Sequence, residues 1–294
     1  MFNIIDRLSL AAGLPANDDA YGGIGSPAAG AAWVIDGATG VGDQEYVPEA
    51  KSDAAWFALT LSRCMTREAM LGGDLEQQMR QAYRAANAAF AGVAGAAVPD
   101  YGRPLATLLA VAWQRLGDRT VSLEMVSLGD GKALLLAAPG PGRILGLQGE
   151  DQSDRQVNAA VQALHAGGTV DPDAVLSAML GDLRRSRVRS VMRYANWAEG
   201  RTGATASIDR ERLILTPPGT LLLVTDGFFR LVDTYGAYTP DSFIKAACVL
   251  WLADLGRELR QIEAADATCR RYPRLKPRDD ATAILLAIED EARE

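Results

Sequence analysis

Two stretches of the chain climb through apolar residues and stop on the same dipeptide: AAWVIDG ends on Asp36-Gly37, and LLLVTDG ends on Asp226-Gly227. A third apolar run, ATAILLAI at 281–288, is instead preceded by an acid pair, Asp279-Asp280. Short runs rich in Val, Ile and Leu and bounded by turn residues read as buried strands. A buried strand that ends on a carboxylate must carry that charge to the rim of its sheet, because an unpaired ion in an apolar interior is costly. Asp-Gly is also the commonest hairpin signal, so each dipeptide taken singly admits a plain turn reading. If the 281–288 strand runs antiparallel to the other two, its start lies at the edge where they end, and three acids distant in sequence meet.

Converged carboxylates repel one another, and a divalent cation resolves the conflict. The chain has one histidine, His165, and three widely spaced cysteines, Cys64, Cys248 and Cys269, with no Cys-x-x-Cys. Oxygen is therefore the abundant donor, which points to Mg²⁺ or Mn²⁺ and away from zinc. The cysteines read as small buried hydrophobes in a reducing compartment. Glycine after each acid lets the backbone come close, and the Gly37 carbonyl is itself a candidate ligand.

The remaining sequence frames these strands. Residues 49–69 and 74–97 read as amphipathic helices. LATLLAVAWQ (105–114), TVSLEMVSLG (120–129) and KALLLAAP (132–139) read as a meander of strands separated by Gly-Asp and Asp-Gly turns. Residues 151–193 are helix-like, broken by HAGGTVDPD. Arg185, Arg189 and Arg193 share one face there, which reads as a solvated surface more readily than a phosphopeptide groove. RLILTPPG is a further strand, and a long helical segment spans about 240–268. GGIG at 22–25 reads as a turn between two early strands, since no Lys-Ser/Thr follows it as in a nucleotide loop. His165 reads as a helix-end residue, and the five tryptophans as core packing. Strands and helices do not alternate regularly, so an antiparallel α+β sandwich is favoured over a doubly wound parallel sheet.

With 294 residues, 48% of them hydrophobic, one large core is expected. The net charge of −7 argues against a general affinity for nucleic acid. The N-terminal residues lack a basic start followed by a long apolar stretch, and no apolar run reaches the ~18 residues of a membrane span. A cytoplasmic protein with no membrane partner is expected.

Six segments then occur in a telling order: NDDA at 17–20, VIDGATG at 34–40, PLATLLAV at 104–111, SLGDGKALLL at 127–136, LLLVTDGFF at 221–229 and RDDATAILL at 278–286. Their order and spacing resemble the motifs of the metal-dependent type 2C (PPM-type) protein serine/threonine phosphatases, in a divergent bacterial form. The resemblance runs from about 17 to 288, with 140–210 matching only by position. It implies an α+β fold, a four-layer α-β-β-α sandwich with two antiparallel sheets flanked by helices. The whole chain, 1–294, would be a single domain with a variable helical or flap insertion at about 150–205.

The resemblance further implies that Asp36 bridges two metals, that Gly37 offers its carbonyl, and that Asp226 and Asp279 complete one metal's shell. Asp18 and Asp19 would hold the second metal's waters, and Asp130 would bind a third ion. The implied activity is a phosphoric monoester hydrolase acting on phosphoserine and phosphothreonine in a phosphoprotein substrate, with two or three Mg²⁺ or Mn²⁺ ions and a metal-bridged water as nucleophile. The oligomeric state stays open.

Two departures stand out. The family's histidine after Asp-Gly is Ala38 here. Its phosphate-gripping arginine ahead of the acid pair has no counterpart nearer than Arg7, and the basic stretch RRYPRLKPR before Asp279 is the candidate substitute. These departures keep two rivals in view: a degenerate phosphatase fold that binds phosphopeptide or metal as a regulatory module, and a phosphatase of small metabolites.

Overall fold

The apolar runs pair into two five-stranded sheets. The first contains β2 (Asp19–Gly25), β3 (Ala29–Gly37), β4 (Ala106–Gly117), β5 (Thr120–Leu128) and β8 (Ile208–Leu215), side by side in that order. The second runs β1 (Phe2–Leu10), β10 (Ala281–Ile288), β9 (Gly219–Val224), β6 (Lys132–Ala137) and β7 (Arg143–Ile144). Neighbouring strands pair antiparallel throughout. This computed structural model describes residues 2–13, 16–95, 98–117, 120–137, 139–146, 152–169, 171–201 and 208–289.

Three apolar layers explain why the central strands read as unbroken hydrophobic runs. Along β3, Ala32 and Val34 join Leu109, Val111, Leu221, Leu223, Ile284 and Leu286 between the sheets. The alternate residues Trp33 and Ile35 face Phe57, Leu61 and Met65 of α1 (Asp53–Leu71) and Met79 and Tyr83 of α2 (Leu75–Ala94). Along β9, Leu222 and Val224 face Phe243 of α6 (Pro240–Val249) and Leu252, Leu255 and Leu259 of α7 (Leu252–Ala265). A strand covered on both faces needs apolar residues at every position, so the period-2 alternation of a half-exposed strand is lost. The order helix, sheet, sheet, helix is the expected four-layer α+β sandwich.

The helix boundaries follow local chemistry. Ser52 caps α1 by accepting a hydrogen bond from the Ala55 amide, and Asp74 caps α2 through the Gln77 amide. The long helix expected at 240–268 is two helices, because the chain turns extended at Leu250 and Trp251 before α7 begins. The expected meander is also divided: β5 stays with β4, but the Gly129–Gly131 connection carries the chain into the other sheet, where β6 pairs with β9. GGIG is not a turn; it lies within β2, and the reversal occurs at Ser26–Ala28, where the Ser26 amide bonds the Ala29 carbonyl. Of the region expected to form an insertion, α3 (Gln152–Ala166) and α4 (Pro172–Ala198) are described, while 150, 151, 170 and 202–205 lie outside the described residues. His165 does end α3. Cys269 is buried but Cys248 is exposed, and Trp251 is 68% exposed, so neither of these last two serves the core. Among the described residues no helix is long and apolar enough to cross a membrane.

The Asp-Gly dipeptides are places of close backbone approach. A Cβ on Gly37 would lie 2.4 Å from the Asp18 carbonyl oxygen, and one on Gly227, in the short helix α5 (Asp226–Phe229), would lie 1.9 Å from that of Asp280. Each glycine lets a second acid-bearing segment touch the strand end that carries the first. Gly92, in α2, has nothing within 4 Å of the same position. Gly227→Ala is therefore expected to destabilise the protein by about 2 kcal/mol or more in urea denaturation, and Gly92→Ala to stabilise it by up to ~1 kcal/mol. Equal effects from the two changes would contradict the packing assigned to Gly227.

Candidate functional site

Register places the acids. Asp19 of β2 lies opposite Asp36 of β3, which in turn lies opposite Thr107 of β4. Directly opposed residues share a face, so two carboxylates stand side by side at one rim of the first sheet. In the second sheet, Val224 pairs with Ala283, so Thr225 and Asp226 leave β9 where Asp279 and Asp280 lead into β10. The antiparallel arrangement of β9 and β10 is the one on which convergence depends. β3 reaches the same rim from the other sheet.

Side chains stitch the two rims together. The Thr225 hydroxyl donates to Asp19 Oδ2 at 2.8 Å and accepts from the Thr282 amide at 3.0 Å. The Thr282 hydroxyl pairs with that of Ser9 at 2.8 Å. Asp280 accepts from the amides of Ala12 (2.5 Å) and Asp18 (2.7 Å), which pins the segment bearing the acid pair. Asp18 in turn accepts from Ser52, the α1 cap, at 2.5 Å. None of these hydroxyl partners was marked by the sequence patterns, although Thr225 immediately precedes one of the marked acids.

Electrostatically the acids form one set. Burial, then the charges of Asp226, Asp19 and Asp130, push the Asp36 carboxyl well above the usual carboxylate range, and Asp226 lies within hydrogen-bonding reach of it. Burial likewise raises Asp19, with Asp226 and Asp279 adding repulsion and the Thr225 and Thr282 hydroxyls opposing it. Asp19 Oδ1 is buried without a hydrogen-bond partner. Asp18 is raised by burial against the pull of Ser52. Asp226, Asp19 and Asp130 thus all act on Asp36, and Gly37 ends β3 beside it.

Asp279 behaves differently. Its two carboxylate oxygens form ion pairs with Lys276 and Arg230. Burial opposes its ionisation, but these two cations outweigh burial and hold it below the usual range. Lys276 also donates to Thr39 Oγ1 at 2.9 Å, in the loop that leaves Asp36. Of the basic stretch before Asp279, Lys276 makes this contact, whereas Arg274 is buried and holds its own loop through Asp266 and the carbonyls of Tyr272 and Pro277. Arg7 is exposed on β1.

The loop after Asp36 is braced from α4. Arg187 is buried and donates to the carbonyls of Ala38 (3.2 Å) and Thr39 (2.8 Å), and Arg184 donates to that of Val41 (2.8 Å). The Ala38 amide bonds the Leu105 carbonyl at 2.8 Å, and its methyl packs on the helix-side core. Arg185 instead points outward to Asp182, and Arg189 is exposed. Arg193 is half-buried and donates to Ser190 Oγ, so the arginine face visible in the sequence is solvated at Arg185 and Arg189; the arginines that touch the site loop, Arg184 and Arg187, are not members of it.

The donor set suits a hard divalent cation. Asp19, Asp36 and Asp226 present carboxylate oxygens in mutual repulsion, one buried oxygen is unpartnered, and the backbone at Gly37 is free of a side chain. Asp279 fits less well, its charge being balanced by two protein cations. The acid contacts are pairwise: among the described residues, no three Asp, Glu, His or Cys side chains are grouped as ligands of one ion.

No family model matches the sequence, and no curated protein matches it. Solved structures do. The chain resembles the Mycobacterium tuberculosis serine/threonine phosphatase PstP/Ppp at 17% identity and a TM-score of 0.52, covering 98% of each chain. It resembles the S. agalactiae serine/threonine phosphatase at 13% identity and a TM-score of 0.52, covering 98% of this chain and 100% of that one. Over nearly its whole length the chain carries the type 2C phosphatase fold.

Proposed function

We propose that the chain is a divalent-cation-dependent phosphatase that hydrolyses phosphoserine and phosphothreonine monoesters in proteins. The observation that carries this reading is the buried, mutually repelling set Asp19, Asp36 and Asp226 at the rim where both sheets meet. Such an arrangement destabilises the chain unless a cation is shared among the acids. The fold shared with serine/threonine phosphatases supports the same reading.

In this proposal Asp36, Asp226 and the Gly37 carbonyl hold the cation directly, with Asp19, Asp18 and Asp130 arranged around it. When bound, Mg²⁺ or Mn²⁺ supplies a Lewis acid that makes a water nucleophilic near neutral pH and offsets charge on the phosphoryl oxygens. The chain's own residues hold the geometry. Thr225 fixes Asp19, Asp280 fixes the Asp18 backbone, and Arg187 fixes the Ala38–Thr39 loop. Ala38 offers no proton to the leaving group, so esters with acidic leaving groups would react faster than phosphoserine.

A second reading has its own support. With Ala38 in place of the family's histidine and Asp279 engaged by Lys276 and Arg230, the fold suits a module that binds phosphopeptide without turnover. Turnover separates the two. The enzyme reading expects multiple turnovers on p-nitrophenyl phosphate and phosphopeptide in Mn²⁺, abolition by chelator, and a loss of roughly a hundredfold or more in Asp36→Asn. Binding without turnover at saturating Mn²⁺ would favour the module.

Stability supplies an independent check. Asp36 and Asp19 titrate above the usual range in the folded chain, so their neutral forms favour folding at low pH and that contribution is lost as pH rises through the folded values. Asp279, depressed in the folded chain, loses its contribution only at still lower pH. Melting in chelator is therefore expected to weaken as pH rises from the ordinary carboxylate range through the raised folded values, and Mn²⁺ at about 100 times its Kd to restore ~2.7 kcal/mol. Asp36→Asn is expected to melt higher than wild type without metal and to lose the Mn²⁺ response. Melting that rises across that pH range in chelator would contradict the charge conflict.

A further inference from the structure

The acids at the rim divide into two electrostatic classes. Asp19 and Asp36 stand directly opposed across β2 and β3, and Asp19 Oδ1 is buried without a hydrogen-bond partner. Asp279 is the opposite case, since each of its oxygens meets a cation supplied by the chain. Arg230 is largely buried, its side chain 14% exposed, and it also lies in the field of Asp226. Lys276, three residues before Asp279, is held at its tip by a second contact to Thr39 Oγ1. Its ammonium therefore sits between Asp279 and the loop leaving Asp36, and it lies in the field of Asp36 as well.

An ammonium in that position and a divalent ion want the same carboxylate oxygen, and the two positive charges repel each other. The resemblance in the sequence assigns Asp279 to a metal shell; the observed pairing gives it to Lys276 and Arg230. We propose that Lys276 is a built-in counter-cation that withdraws Asp279 from metal binding. The site then takes one divalent ion fewer than the motif pattern implies, the tight ion being the one proposed above at Asp36, Asp226 and the Gly37 carbonyl. This inference rests on the metal-centre reading above but concerns how many ions that centre holds. It also gives the Lys276–Thr39 contact a role, because Thr39 keeps the ammonium beside the acid when solvent could otherwise draw it away.

The test counts Mn²⁺ per chain by native mass spectrometry and measures affinities by calorimetry, on the full chain. Lys276→Met is expected to bind one Mn²⁺ more than wild type, with that added binding at least about tenfold tighter than any weak wild-type binding beyond the tight ion. Lys276→Arg keeps the charge and is expected to keep the wild-type count, which guards against an effect of altered folding. Asp279→Asn is expected to leave the count unchanged. If Lys276→Met matches wild type while Asp279→Asn loses an ion, Asp279 is an ordinary ligand and the proposal is overturned, with the metal centre intact. If neither wild type nor any variant binds Mn²⁺, the proposal and the metal-centre reading fall together.

Discussion

Like charges forced together at a buried rim are the constraint around which this structure is organised. Asp19 and Asp36 are directly opposed across a strand pair, and Asp226 reaches them from the other sheet. Exposed carboxylates at such spacing would be a minor cost in water, but burial amplifies each repulsion. The surrounding fold holds the acids in place all the same, through an apolar layer on the outer face of each sheet and a third between the two sheets. Stability elsewhere thus maintains strain at one edge, the usual signature of a functional site.

The edge is assembled from sequence-distant pieces by short polar links. Thr225 joins the second sheet to Asp19, Asp280 joins it to the backbone at Asp18, and the glycines at 37 and 227 let the backbones touch. From outside the sheets, α4 reaches in with Arg184 and Arg187 to hold the loop beyond Asp36. Substitutions on the outward face of α4 can therefore be made while its inward arginines keep the site loop in position. The two cations on Asp279 complete the picture by balancing one acid internally and leaving the others to be balanced from outside.

Much of this was legible in the sequence because burial on both faces writes itself as unbroken apolar runs. The strands around Trp33–Asp36, Leu221–Asp226 and Ala281–Ile288 were marked by that signal, and their acidic ends by its abrupt stop. The partners of those acids were not legible. Thr225, Arg230, Lys276 and Arg187 act through tertiary contacts, and nothing in their local pattern separates them from solvated residues. Arg185, Arg189 and Arg193 drew attention through helical spacing, yet spacing identifies a face without saying whether it looks in or out; Arg187 is the buried one. GGIG mimicked a turn because glycine also marks close approach within strands: a Cβ on Gly22 would lie 2.5 Å from the Trp33 ring. Leu250 and Trp251 broke a helix that periodicity had run together, and Trp251 stands exposed where size alone suggested core.

The central claim is that the rim acids share a divalent cation, and the most direct measurement is anomalous diffraction from a crystal soaked in Mn²⁺. The account predicts a peak within about 2.0–2.4 Å of Asp36 and Asp226 carboxylate oxygens. A soaked crystal with manganese bound elsewhere, or with no peak in coordination range of Asp36, would contradict it.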